Sequence, residues 1–166
     1  MNQKGKREIP TVFISYSHDS ADHKRWVARL ATVLRENGID AMLDQWDVGL
    51  GDDLAIFMER GLKGSDRVLV ICTDEYNRKA DGGLGGVGYE KMIVTSDLIK
   101  DISTNKFIPV IRQVSGNSKT PICLSTRTYT DLSSYDESDL TAVNVKDLLS
   151  ELHNIPKESK PALAGR

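Results

Sequence analysis

The residues best suited to chemistry fall in three short polar stretches. Glu90 follows the run G-L-G-G-V-G-Y at 83–89. Residues 83–88 satisfy G-x-G-x-x-G, whose glycines in dinucleotide sites form a tight turn that brings a pyrophosphate to a helix N-terminus. That use requires the glycines directly after a strand, and ten residues, 73–82, separate them from the preceding apolar run. The run therefore reads as a surface loop, or as a flap beside a ligand site. Glu90 opens a predicted helix, where a carboxylate either just complements the helix dipole or serves as a functional anion. Trp46 lies between Asp44 and Asp47; its ring can cover the core edge, or offer a stacking face to a ligand or a neighbouring protein. Tyr16 and Tyr89 pose the same question. His18, His23 and His153 have no metal-ligand spacing, so no metal site is expected. Ser115 and Ser118 are not in a G-x-S-x-G elbow, and Cys72 and Cys123 form no C-x-x-C pair. Nucleophilic hydrolase chemistry has no support, and Cys72, closing an apolar run, reads as a small core residue.

These residues must be positioned by the elements around them. Thr11–Ser15 (T-V-F-I-S) is a β-branched apolar run, and Trp26, Val27, Leu30, Val33 and Leu34 follow at helical spacing. Ser20 or Asp19 can cap that helix, and Asn37-Gly38 supplies a left-handed stop. A short strand is expected over 40–43, turn chemistry over 44–51, and a helix capped by Asp52 or Asp53 that buries Leu54, Phe57, Met58 and Leu62. Arg67–Cys72 (R-V-L-V-I-C) is the strongest strand, a continuous apolar run suited to a parallel strand covered on both faces. A polar, glycine-rich connection is predicted over 73–88, a helix over 89–98, and a strand over 106–111 near an edge, because Pro109 cannot donate to a ladder. A polar insertion over 114–126, a last strand over 128–132 and a helix over 138–152 complete the pattern. Strands alternating with helices predict an α/β domain with a parallel sheet. Ligands then bind outside the carboxyl ends of the strands, which directs attention to 16–19, 44–51 and 73–88.

Composition narrows the function classes. The 166 residues amount to one ordinary domain, with 22 Lys and Arg against 24 Asp and Glu and a net charge of −2. Such a chain has no global field to attract a nucleic-acid backbone or an anionic membrane. No apolar run of membrane-spanning length and no leader-like segment occurs, so a cytoplasmic location is expected.

Four ordered segments carry a resemblance. V-F-I-S-Y-S-H-D-S at 12–20 resembles the opening motif of TIR domains and of the related SEFIR domains; D-Q-W-D-V-G-L-G-D-D-L at 44–54, S-D-R-V-L-V-I-C-T-D-E-Y at 65–76 and G-G-V-G-Y-E-K at 85–91 look like later segments of the SEFIR-like bacterial TIR branch. The resemblance implies a flavodoxin-like TIR fold, with a central parallel sheet of about five strands and helices on both faces. It also implies NAD⁺ glycohydrolase activity in anti-phage defence, with Glu90 as the essential carboxylate and NAD⁺ as substrate rather than cofactor. Nicotinamide leaves as a neutral molecule and needs no general acid, so one carboxylate can suffice to stabilise an oxocarbenium-like centre. On the same mapping Ser15, Tyr16, Ser17, Asp44, Trp46 and Tyr89 border the substrate. Trp46, Asp47, Val48, Gly49 and Leu50 form a loop for self-association.

Two departures stand out: W-D-V-G-L-G replaces the R-D-x-x-P-G box of many animal TIR domains, and Gly86 replaces a Trp found four residues before the catalytic Glu in several NAD⁺-cleaving members. The alternative implied by the SEFIR-like motifs is a non-catalytic adaptor that works by homotypic assembly. The expected organisation is a flexible terminus over 1–9, the TIR domain over 10–152, and a linker or tail over 153–166 of the kind that leads to a fused or partner sensor domain.

Overall fold

A computed structural model describes residues 8–82, 93–94, 105–156 and 158–165. The strands are β1 (Thr11–Ser15), β2 (Asp40–Met42), β3 (Arg67–Cys72), β4 (Phe107–Ile111) and β5 (Thr130–Asp131). They form one sheet in the order β2-β1-β3-β4-β5, with every adjacent pair parallel. The helices are α1 (Ala21–Glu36), α2 (Asp44–Asp47), α3 (Leu54–Gly64), α4 (Asp74–Asp81) and α5 (Lys146–Leu152). This is the expected α/β architecture.

Side-chain alternation divides the core between two faces. Val12, Ile14, Leu69 and Ile71 point to the α1 and α5 side, where they meet Trp26, Leu30, Leu34 and Leu152. Phe13, Val68, Val70 and Cys72 point the other way, against Met58, Leu62 and Tyr76. A sheet buried on both faces explains why β3 is a continuous apolar run and not an alternating one. Gly61 allows α3 to lie close on the sheet: a Cβ there would come within 2.0 Å of the Phe13 ring.

The helix starts follow local chemistry. The Ser20 hydroxyl caps α1 by accepting from the His23 N–H, and the Asp53 carboxylate caps α3 by accepting from Ala55 and Ile56. Gly38, at φ 84°, turns the chain after α1. Pro109 is tolerated for a geometric reason. Arg112 donates to the Cys72 carbonyl and Leu132 donates to the Ile111 carbonyl, so even positions of β4 serve β3 and odd positions face β5. The donor missing at Pro109 thus faces the side where pairing begins only at Val110 opposite Thr130. The strand lies next to the sheet edge, as expected.

Three expectations need correction. The connection over 73–88 contains α4, because the Thr73 hydroxyl accepts from the Tyr76 N–H and the apolar pair Tyr76 and Ala80 packs inward from an otherwise polar octapeptide. The turn over 44–51 begins with the single helical turn α2. The helix over 138–152 is confined to α5; before it lies a 3₁₀ turn, Glu137–Asp139, held by reciprocal Asp136–Asp139 capping, and the Asn144 side chain donates to the Asp139 carbonyl. Within 89–98 the described residues, Ile93 and Val94, are buried and lie outside any helix.

Candidate functional site

The strand order places a topological switch point between β1 and β3, where the crossovers leave in opposite directions and a crevice is expected at the carboxyl ends. The residues that follow those strands meet there. After β1, Ser17 donates to Asp19 Oδ1 at 2.5 Å, and after β3, Thr73 donates to Asp19 Oδ2 at 2.7 Å. One carboxylate therefore ties the two loops across the switch point. Thr73 Oγ1 also caps α4, so the same hydroxyl fixes both the loop and the helix start.

A second carboxylate ties β1 to the chain after β2. Asp44, buried at the start of α2, accepts from the Tyr16 hydroxyl at 2.6 Å and lies 2.8 Å from His18 Nε2. Gln45 donates to the Tyr16 oxygen at 2.9 Å and to the Lys24 carbonyl at 3.0 Å, which links α2 to α1. Burial alone would raise the pKa of Asp44, but the bonds from His18 and Tyr16 outweigh it, and the carboxyl sits below its usual range. Burial, reinforced by Asp44, raises the Tyr16 phenol far above its ordinary value, so it stays a donor.

Beneath these loops lie two further polar contacts. Ser15 Oγ is 2.8 Å from the hydroxyl of Tyr76, which also accepts the Val94 N–H at 2.9 Å. Behind β4, Arg112 Nη1 lies 2.6 Å from His23 Nδ1, and its guanidinium sits 4.8 Å from the Trp26 ring centroid. A guanidinium can only donate, so Nδ1 accepts and the neutral ring carries its proton on Nε2, a buried atom with no hydrogen-bond partner among the described residues.

The residues predicted to line the site are thus partly brought together. Ser15, Tyr16, Ser17 and Asp44 converge at the carboxyl edge, all buried. Trp46 is 46% exposed on α2, with Leu50 fully exposed beyond it. The Asp47 carboxylate turns back to accept from the Leu43 N–H, and the Gly49 N–H donates to Asp52. Val48, between them, is half-buried. Tyr89, Glu90 and the glycine run at 83–88 lie outside the described residues. Sequence reasoning assigned no site role to Asp19, Thr73, Tyr76 or Arg112. The first three stand within the quoted S-Y-S-H-D and C-T-D-E-Y segments, and Arg112 directly follows a strand.

A cavity of about 670 Å³ opens at the amino-terminal end of the sheet, lined among others by Arg67, Phe107, Ile108, Thr128 and Glu151. It is remote from the strand-end loops, and in parallel sheets ligands enter at the opposite, carboxyl end. The carboxyl edge is therefore the better candidate despite its tighter packing. Among the described residues no helix is long and apolar enough to cross a membrane.

The profile of the TIR domain family matches residues 12–144. A crystal structure of a prokaryotic SEFIR domain is similar at 36% identity and a TM-score of 0.72, over 94% of this chain and 99% of that one. The TIR domain of the Toll-related receptor TRR-2 from Hydra magnipapillata shares the fold at 18% identity and a TM-score of 0.57, over 86% and 98% of the two chains. The SEFIR domain of interleukin-17 receptor B does so at 13% and 0.57, over 87% and 95%. No match was found among curated proteins.

Proposed function

This chain belongs to the TIR domain family, and from that premise we propose that it is a NAD⁺ glycohydrolase, active when self-associated, that serves bacterial defence against phage. The reaction breaks the bond between the nicotinamide nitrogen and the ribose anomeric carbon. The bonding pair goes to the pyridinium, which leaves neutral, and the oxocarbenium-like centre is captured by water, with loss of a proton, to give ADP-ribose. Capture by a nucleophile within the same molecule gives a cyclic isomer instead. The Glu90 carboxylate supplies negative potential opposite that developing charge and binds the ribose hydroxyls.

One observation supports assigning this role to the carboxyl edge. Val94 is hydrogen-bonded to Tyr76, whose hydroxyl is 2.8 Å from Ser15 at the end of β1. Glu90 precedes Val94 by four residues, and four residues of fully extended chain reach at most about 14 Å. In this reading Ser15, Tyr16, Ser17 and Asp44 form the floor of the site, Tyr89 flanks the carboxylate, and Trp46 offers its ring to the substrate or to the next subunit. The test is nicotinamide release from NAD⁺ by wild type and Glu90→Ala at concentrations where the protein is assembled. Release by wild type alone is expected; equal rates in both would refute the role of Glu90.

A second reading, a non-catalytic adaptor, draws on the 36% identity to a SEFIR domain and on the exposed Trp46, Leu50 and Ile56. It predicts no NAD⁺ loss at any concentration, with association lost in Trp46→Ala.

A further inference from the structure

Pro109 leaves a gap at the edge of the sheet. β5 pairs with β4 only at Val110 and Ile111, and Pro109 has no N–H to carry the ladder toward the start of β4. The chain before β5, over 126–129, stands off from Phe107 and Ile108, and the space between them belongs to the cavity of about 670 Å³ at the amino-terminal end. α5 borders that space with Asp147, Leu148 and Glu151, and β3 with Arg67. The volume is that of a small-molecule site. Its central cation is incompletely satisfied. The Arg67 side chain is 15% exposed and engages Glu151 Oε1 through Nη1 alone, at 3.1 Å, while its Nε is buried with no hydrogen-bond partner among the described residues. A buried N–H without an acceptor is costly, and the planar guanidinium fork is shaped to grip a carboxylate through two nitrogens. Glu151 is 61% exposed, so its carboxylate can accept a further donor from the cavity side.

We propose that this cavity binds a small zwitterion with an apolar body, in its simplest form an apolar α-amino acid. Such a ligand carries an accepting carboxylate and a donating ammonium on one carbon, and the Arg67–Glu151 pair presents a donor and an acceptor side by side, 3.1 Å apart. The ligand carboxylate draws the guanidinium toward it and supplies the acceptor that Nε lacks. The ammonium donates to Glu151, and Asp147, four residues earlier on the same helical face, adds negative potential. Ile108, Leu148 and the half-exposed Tyr129 ring offer apolar surface to the ligand's side chain. Charge balance favours a net-neutral ligand, because Arg67 and Arg127 face Asp147 and Glu151 in the lining. A phosphate or nucleotide would instead bring its negative charge beside two carboxylates. The site is separate from the carboxyl edge and does not depend on the NAD⁺-cleaving reading.

The test titrates L-leucine and L-phenylalanine into the isotopically labelled 166-residue chain and follows its amide signals by nuclear magnetic resonance. Saturable shifts centred on Ile108, Thr128 and Leu148 are expected, with a Kd of about 1 mM or tighter. Isocaproate, which lacks the ammonium, and isoamylamine, which lacks the carboxylate, should each bind at least about tenfold more weakly than leucine, because each forfeits one charge-assisted contact. Arg67→Met, which keeps the aliphatic stem, and Glu151→Gln should each weaken leucine binding at least about tenfold. Should Arg67→Met fail to fold, the exposed Glu151→Gln and the two analogues on wild type decide. No saturable shift at about 20 mM of either amino acid overturns the proposal, and so do shifts centred away from the cavity. Equal binding of isocaproate and leucine, or the same shifts with inorganic phosphate in place of leucine, reduces the site to one for anions and overturns the zwitterion.

Discussion

Acidification charges a histidine that the fold holds neutral. His23 is 1% exposed, lies beside Trp26, and accepts at Nδ1 from Arg112. A proton added to that nitrogen would have to point at a guanidinium 2.6 Å away. Burial is the main reason its pKa drops from 6.5 to about 4; Asp19 opposes the drop, and Arg112 and His18 reinforce it. Between those two values the unfolded chain takes up a proton that the folded chain refuses. Stability is therefore complete above the unfolded pKa and falls as the pH drops toward the folded one. At about 1.4 kcal/mol per unit the loss across the window is about 3 kcal/mol, a sizeable share of the roughly 5–15 kcal/mol that holds an ordinary domain together. Asp44 acts separately: its carboxyl is depressed below 3.8, so the stability it adds is present above that value and lost only below it. Urea unfolding midpoints of wild type and His23→Gln, followed from about pH 7 to about pH 4, isolate the effect. Glutamine retains an acceptor oxygen for Arg112 and does not titrate, so its midpoint should change far less across the window. Parallel declines in the two proteins would refute the account.

Three further outcomes are expected. Gly61→Ala forces a Cβ into the Phe13 ring, and the overpacking should cost about 1–3 kcal/mol, more than the roughly 1 kcal/mol gained from helix propensity; an unchanged or raised unfolding midpoint would contradict the close approach of α3. Asp44→Ala leaves the buried Tyr16 hydroxyl without its acceptor and should destabilise by about 2 kcal/mol, while Asp44→Asn, which keeps a carbonyl oxygen, should cost less by the same denaturation measurement. Glu90→Gln retains hydrogen-bonding shape without charge, so circular dichroism should stay native while nicotinamide release falls steeply; unchanged release would contradict the electrostatic role.

Much of the fold was legible locally. Continuous apolar runs mark β1 and β3, 3.6-residue spacing marks α1, and Ser20, Asp53 and Gly38 mark helix boundaries through short-range hydrogen bonds and a left-handed turn. α4 escaped the same reading because six of its eight residues, D-E-Y-N-R-K-A-D, are charged or amide, and its two inward positions are a tyrosine and an alanine. Its stability comes from bonds to Ser115 and Lys119, 41 and 42 residues further along the chain, which no local window contains. The candidate site divides in the same way. The choice of the segments after β1, β2 and β3 as site candidates follows from the alternation of elements and the rule that parallel sheets bind ligands at their carboxyl ends.

The amino-acid sequence by itself determined β1, β3 and α1, the parallel α/β class and the family, because periodicity, caps and ordered motifs are properties of neighbours along the chain. Only the tertiary structure decided that Asp19 bridges Ser17 to Thr73, that Asp44 joins Tyr16 to His18, that His23 is buried against Arg112 and that Tyr76 takes the Val94 amide. Apart from Ser17 with Asp19, those partners stand between 18 and 89 residues apart. The crossovers set which strand ends meet, and among the described residues most buried polar side-chain atoms then find a partner, with His23 Nε2, Arg67 Nε and Asn77 Oδ1 the exceptions.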